Sequence, residues 1–164
     1  MKLFRVAENQ AAVIAGVLSL VGVVVGVGLE RWSQDHMLSQ LQRRDVAKLV
    51  SARVQGRWVR GSAVVTAVRS SVFPKRWDDY IQEGLVPWNE DYRYMKSGIK
   101  EYFPDRVDEF DAVHESFRDL HEALLAYHRS QGQPSPKAQE AAEDRLSNLG
   151  RQIDALVDNL FLSL

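Results

Sequence analysis

The sequence predicts an all-α protein with one N-terminal transmembrane helix followed by an antiparallel bundle of three or four helices. Residues 11–29 carry no charged side chain. As a helix this run would be about 28 Å long, close to the ~30 Å hydrocarbon core of a bilayer. Beyond it, apolar residues recur at spacings of three and four between proline and glycine breaks, which is typical of amphipathic helices.

Composition limits the classes of protein that need to be considered. The chain has 164 residues, a net charge of −1 and no cysteine. Disulfides, thiolate metal sites and a cysteine nucleophile are therefore excluded. We divide the chain into a polar flank at 1–10, the transmembrane helix at 11–29 and a helical domain at 30–164, which is long enough to bury a core.

The apolar run is interpreted as a retained anchor, so the lipid bilayer is the first expected partner. Lys2 and Arg5 precede it and Gly26 and Gly28 could form a cleavage site, but the run exceeds the usual core of a signal peptide. The excess of Lys and Arg after the run, starting at Arg31, favours a cytosolic C-terminal domain. The alternative places that domain outside the cytoplasmic membrane.

Small residues four apart in the run allow two membrane helices to approach closely. Gly22 and Gly26 form one such pair, which could serve as the contact of a homodimer. The alternative is that glycine and alanine are simply common in membrane helices. Trp32, just past the run, is expected at the membrane interface.

A long helix is predicted from about Trp32 to Ser71, a stretch without proline. Its predicted buried side carries the apolar residues of one helical face: Leu38, Leu41, Leu49, Ala52, Val59, Ala63 and Ala67. A competing interpretation makes residues 50–68 a hairpin, because this stretch is rich in valine and contains two glycines. An isolated hairpin would need further strands for stability.

The middle of the chain is divided by prolines. A short helix is predicted from Pro74 to Glu83, ended by Gly84, and a second begins at Pro87 and ends before Pro104. The aromatic residues of this region are expected to fill the core, or else to bind a partner or the membrane interface. They are Trp77, Tyr80, Trp88, Tyr92, Tyr94, Tyr102 and Phe103.

Two long amphipathic helices are predicted at the end of the chain, over about 105–130 and 136–162. Ser135 is a natural N-cap with Pro136 at the first helical position. Apolar residues in the last helix have the 4-3-4-3-4 spacing of a bundle or coiled coil. They are Ala142, Leu146, Leu149, Ile153, Leu156 and Leu160.

Charge is unevenly distributed. A basic stretch from Arg43 to Arg60 precedes an acidic one from Glu101 to Glu122. The simplest interpretation pairs the basic helix with the acidic helix; a basic helix lying on anionic lipid is the alternative. Nucleic-acid binding is not expected, because the domain as a whole is not basic.

Three arginines interrupt the apolar side of the long helix: Arg53, Arg57 and Arg60. Either the buried face rotates near Gly56 or these arginines meet acids at a contact. A protein partner could therefore bind through the arginines or through the acidic helix.

Three histidines follow one another at intervals of seven: His114, His121 and His128. They lie about 10.5 Å apart along a helix, which is too far for two of them to share one metal ion. Asp111 and His114 have metal-ligand spacing, but no second such motif exists to build a di-iron site. We expect ordinary boundary histidines, with a pH-sensitive contact and a metal site as alternatives.

No nucleophile motif, phosphate loop or dinucleotide fingerprint is present, so catalytic, cofactor and metal residues are not assigned. The sequence favours a single-pass membrane protein whose bundle acts through protein–protein contact as a scaffold, regulator or sensor. The alternatives are an extracytoplasmic binding or sensor domain and, third, a membrane-tethered metal enzyme at Asp111 and His114.

Overall fold

The computed structural model describes residue 34 and residues 36–164. These residues are helical with no strand, which confirms the all-α class and the bundle and rules out the hairpin at 50–68. No helix among them is both long enough and apolar enough to cross a membrane. The predicted transmembrane helix at 11–29, the Gly22 and Gly26 contact and Trp32 lie outside the described residues.

The chain divides into two compact units after Gln42. In the first unit, residues 36–42 are helical. The second unit, Arg43–Leu164, contains α1 (residues 43–66), α2 (Phe73–Asp79), a π-helical turn (Tyr80–Leu85), α3 (Val86–Tyr102), a 3-10 turn (Pro104–Arg106), α4 (Val107–Arg129) and α5 (Pro136–Leu162).

Side-chain contacts fix the directions of these helices. Val46 of α1 lies against Gly98 at the far end of α3, so α1 and α3 are antiparallel. In α4 and α5, Tyr127 Oη donates to the carbonyl of Gln139 at 3.2 Å, and Asn159 Nδ2 donates to Glu109 at 3.0 Å. The second unit is therefore an up-down-up-down bundle of four arms. α1, α4 and α5 each form one arm, and α2, the π-helical turn and α3 together form the second arm.

The last two helices bury the faces that their spacing predicts. Ser135 accepts a hydrogen bond from the Ala138 N–H at 3.2 Å and caps α5 as expected. Of the predicted residues in α5, Leu146 is half-buried and the others are buried. The core of α4 consists of Phe110, Val113, Phe117, Leu120, Ala123, Leu124 and Tyr127.

The predicted break at Gly84 is wrong. The chain stays helical through this residue, and the Val86 N–H bonds the carbonyl of Ile81 in the wide π-helical pattern. Because Pro87 has no N–H to donate, the normal ladder fails at this point and a wider turn takes its place. The break at Pro104 occurs as predicted, because Phe103 leaves the helical conformation and a 3-10 turn follows.

The predicted buried face of the long helix is correct only in part: Ala67 is buried and Leu49 packs against the core, but other members are exposed. Ala52 is exposed and Val59 is 53% exposed, and Leu38 and Leu41 in the first unit are exposed as well. The side of α1 that enters the core is a valine face with an arginine in it: Val46, Val50, Val54, Arg57, Gly61 and Val64. The sequence predicts Arg57 as an interruption of the apolar side, and its burial is unexpected because a charged side chain is almost never buried.

Candidate functional site: the buried Arg57 cluster

Three arginines on one side of α1 face the adjacent α2–α3 segment. Arg53 Nε lies 2.6 Å from Asp91 Oδ2, and Arg60 Nε donates to Glu83 Oε2 at 2.9 Å. Arg57, one turn from each, has no carboxylate partner among the residues that the structure describes, and it lies over the Trp88 ring. The arginines of α1 therefore form their ion pairs with the α2–α3 segment and not, as expected, with the acidic helix, although α1 does pack beside that helix at Phe117.

Arg57 is the most unusual residue of the bundle, because only 4% of it is exposed. Its Cζ lies 4.5 Å from the centre of the Phe117 ring and 5.3 Å from that of Trp88. Its Nη2 donates to the Phe117 carbonyl at 3.4 Å, whereas its Nε has no hydrogen-bond partner among the described residues. Two aromatic faces thus compensate the charge where a carboxylate would be usual.

Burial lowers the pKa of Arg57, and Tyr80 nearby opposes that shift in part. An arginine side chain nevertheless keeps its proton in proteins. The centre of the bundle therefore carries a permanent positive charge.

Two of the three histidines lie next to this charge. The ring of His114 stacks on Tyr92 with centres 4.3 Å apart, and His121 Nδ1 lies 3.2 Å from the Tyr80 hydroxyl. Burial first, and the positive charge of Arg57 second, lower the pKa of both histidines. Both are consequently neutral at physiological pH.

The third histidine of the row lies further towards the end of α4. His128 is exposed, and its ring stacks on Trp77 with centres 4.5 Å apart. All three rings therefore contact aromatic residues of the α2–α3 segment, so the row marks one helix–helix seam.

The π-helical turn packs directly against α1 beside Arg57. A Cβ on Gly84, in the π-helical turn, would lie 3.6 Å from the Arg57 Cα and 3.5 Å from Arg60 Cδ. These are ordinary van der Waals distances, so Gly84 packs directly against α1 at Arg57 and Arg60. π-Helical turns are frequent at functional sites, which makes the Arg57 cluster the leading candidate inside the bundle.

The structure does not bring together a metal site at Asp111 and His114. Both carboxylate oxygens of Asp111 accept from Lys96 Nζ, at 2.7 and 2.9 Å. Across residues 34 and 36–164, no three His, Cys, Asp or Glu side chains lie close enough to hold a metal ion.

The sequence marks Arg57 as an interruption of the apolar face but does not indicate its burial or the contacts that Tyr80 and Trp88 make with it. The one available signal was the position of Arg57 among valines. The predicted aromatic core is present in part: Trp77, Tyr80, Trp88 and Phe103 are buried, whereas Tyr94 is exposed.

The chain matches no known protein-family model, no curated protein and no solved structure. Its function must therefore be argued from the chemistry of its own residues.

Proposed function

We propose that this protein is a single-pass membrane protein whose helical bundle acts through protein–protein contact, docking a basic partner on the acidic outer face of α4. The apolar run at 11–29 supports the membrane anchor. The proposed role is that of a scaffold, regulator or sensor rather than a catalyst.

One observation carries the choice of surface. Of the two partner surfaces that the sequence suggested, the arginines of α1 are engaged within the bundle by Asp91, Glu83 and the aromatic rings. The outer face of α4 carries a row of five exposed positions spaced by four, three, four and three residues. One of them is Ala112 and the other four are acids: Asp108, Glu115, Asp119 and Glu122.

Within the described residues, only Glu115 of these acids has an ion pair, and its partner is Arg118 on the same helix. The face therefore keeps more negative than positive charge, although Arg145 of α5 lies beside it and donates to the Asp119 carbonyl at 3.4 Å. Such a surface steers the approach of a positively charged partner and suppresses acidic ones. Binding of this kind weakens as salt is added.

The proposed side of the membrane is the cytosol, supported by the excess of Lys and Arg after the apolar run. Digestion of intact cells with a protease tests it: the bundle should stay whole until the cells are lysed. Cleavage without lysis would favour the extracytoplasmic alternative. A metal enzyme at Asp111 and His114 has less support, because Lys96 occupies both oxygens of Asp111.

Crosslinking in native membranes, followed by mass spectrometry, tests the docking surface. The variant Asp108→Asn/Asp119→Asn/Glu122→Gln removes three charges from the outer face of α4. A matched control, Glu140→Gln/Asp144→Asn/Asp154→Asn, removes three exposed acids from α5. We expect the first variant to lose a crosslinked basic protein that the control retains. Equal capture by both variants would rule out the α4 face.

A further inference from the structure

A groove of about 400 Å³ opens at the end of the bundle where the α1–α2 and α4–α5 turns meet. This region, residues 67–78 and 127–137, is called the turn end. Four of the residues that line the groove have ring side chains: Phe73, Pro74, Trp77 and His128. The other two are the carboxylate of Asp78 and the amide of Gln131. Its volume and its mostly apolar lining are those of a small-molecule site.

The two turns at this end are joined into one unit. The Arg69 N–H donates to the Gly132 carbonyl at 2.9 Å. Gly132 has a φ of +77°, and a Cβ there would lie 2.8 Å from the Phe73 ring. Only glycine can therefore occupy this position, and its contact with Phe73 fixes the α4–α5 turn against the wall of the groove.

Two residues beside the groove have backbones that are unusual for their side chains. Arg69 has a φ of 60° and Gln131 a φ of 52°, in the left-handed region that residues other than glycine rarely enter. A left-handed residue is common where a helix ends, and Gln131 lies just past the end of α4, where the Gly132 N–H donates to the Tyr127 carbonyl at 2.9 Å. Elsewhere the surrounding structure must hold such a residue in place. At Arg69 the hydrogen bond between the two turns does so.

The turn end carries more positive than negative charge. Arg69, Ser70, Gln131 and Gln133 line a second cavity of about 500 Å³, and Gln131 is common to both cavities. Four exposed cations near the turns have no ion pair within the described part of the chain: Arg69, Lys75, Arg129 and Lys137. An apolar groove thus adjoins a polar cavity with an unpaired guanidinium.

We propose that the turn end binds a small aromatic organic anion, such as a soluble aromatic carboxylate. Its ring occupies the groove beside Phe73 and the stacked pair of Trp77 and His128, and its acidic group reaches the Arg69 guanidinium beside Gln131. A guanidinium and a carboxylate form charge-assisted hydrogen bonds of matching geometry. The aromatic walls favour a flat ring, and Asp78 disfavours a second negative charge at the groove.

The test uses the full-length protein in nonionic detergent and three probes in isothermal titration, with protein-free micelles as the blank. The probes are naphthalene-2-carboxylate, the neutral naphthalene-2-methanol and inorganic phosphate. We expect saturable binding of the carboxylate alone. The Arg69→Asn variant should weaken that binding about tenfold, since one charge-assisted bond is lost. Asparagine tolerates the left-handed backbone, so the turn is preserved.

Two further variants separate the Arg69 site from other causes. Asp78→Asn should tighten binding by about two- to fivefold, as expected when an exposed like charge is removed. Arg93→Ala removes an exposed arginine of α3 and should change nothing. Equal binding of the neutral alcohol, binding of phosphate alone, or an unchanged affinity in Arg69→Asn would each overturn the proposal. So would the absence of binding to the unmutated protein.

Discussion

The guanidinium of Arg57 lies 4.5 Å from the centre of the Phe117 ring and donates a hydrogen bond to the carbonyl of the same residue at 3.4 Å. Phe117 of α4 thus supplies two of the contacts to the buried charge of α1, and the Trp88 ring of α3 supplies a third. Because no carboxylate joins them, the free energy of burying this charge is offset by aromatic faces and one carbonyl. The interaction fixes the pairing of α1 with α4.

Substitutions at Arg57 should separate its charge from its volume. Arg57→Met keeps an unbranched apolar stem and removes a costly buried charge, so we expect the free energy of unfolding to stay equal or rise by up to about 2 kcal/mol. Arg57→Ala leaves a cavity and should lower it by about 2–4 kcal/mol. Urea unfolding of both variants checks this. A Met variant as unstable as the Ala variant would mean that the charge itself stabilises the bundle.

Stability should fall in mild acid because of His114 and His121. The folded-state pKa of each is lowered, so the unfolded chain binds protons more readily than the bundle. Stability is then complete above the ordinary histidine pKa of about 6.5 and is lost progressively as the pH falls through the lowered values. Asp111, Glu115 and Glu122 act in the opposite direction and limit the size of the effect.

The measurement is the urea midpoint at a series of pH values from neutral to about 5, within the range where histidine titrates. Arg57→Met should make the urea midpoint depend less steeply on pH, because it removes the positive charge that lies near both histidines. A His114→Gln/His121→Gln variant should reduce this dependence further. If both variants keep the pH dependence of the unmutated protein, other groups cause the acid sensitivity.

The contact between Gly98 and Val46 should not tolerate an added methyl group. A Cβ on Gly98 would lie 2.7 Å from Val46 Cγ2 and 2.9 Å from Cγ1. Gly98→Ala gains about 1 kcal/mol of helix propensity, but the clash with a stiff β-branched side chain should cost about 1–3 kcal/mol. We expect a lower melting temperature, with partial recovery when Val46→Ala is added. Simple additivity of the two changes would argue against a direct contact.

The cap of α5 provides a prediction that is independent of the core. Ser135 accepts from the Ala138 N–H at 3.2 Å, so Ser135→Ala should lower the free energy of unfolding by about 1 kcal/mol. Ser147→Ala, an exposed position within the same helix, should raise it slightly or leave it unchanged, because alanine is the better helix former. Chemical unfolding of both variants provides the comparison. The same change in the free energy of unfolding in Ser135→Ala and Ser147→Ala would show that the cap contributes nothing.

The sequence could predict α4 and α5 because their local signals agree. Apolar residues recur at helical spacing, Ser135 and Pro136 begin α5, and Gly132 lies in the turn before it. The predictions failed where one signal had two possible outcomes. Gly84 can end a helix or lie within one, and here the wider π-helical turn before Pro87 carries the chain through it.

By itself, the sequence determined the helical class, the α4 and α5 faces, the Ser135 cap and the break at Pro104, because these depend on spacing and on the chemistry of neighbouring residues. Tertiary structure decided which face of α1 is buried, where its arginines find partners and what surrounds His114 and His121. Those outcomes depend on which helices lie side by side. A charged residue such as Arg57 can be buried only when rings from two other helices, Trp88 and Phe117, meet around it.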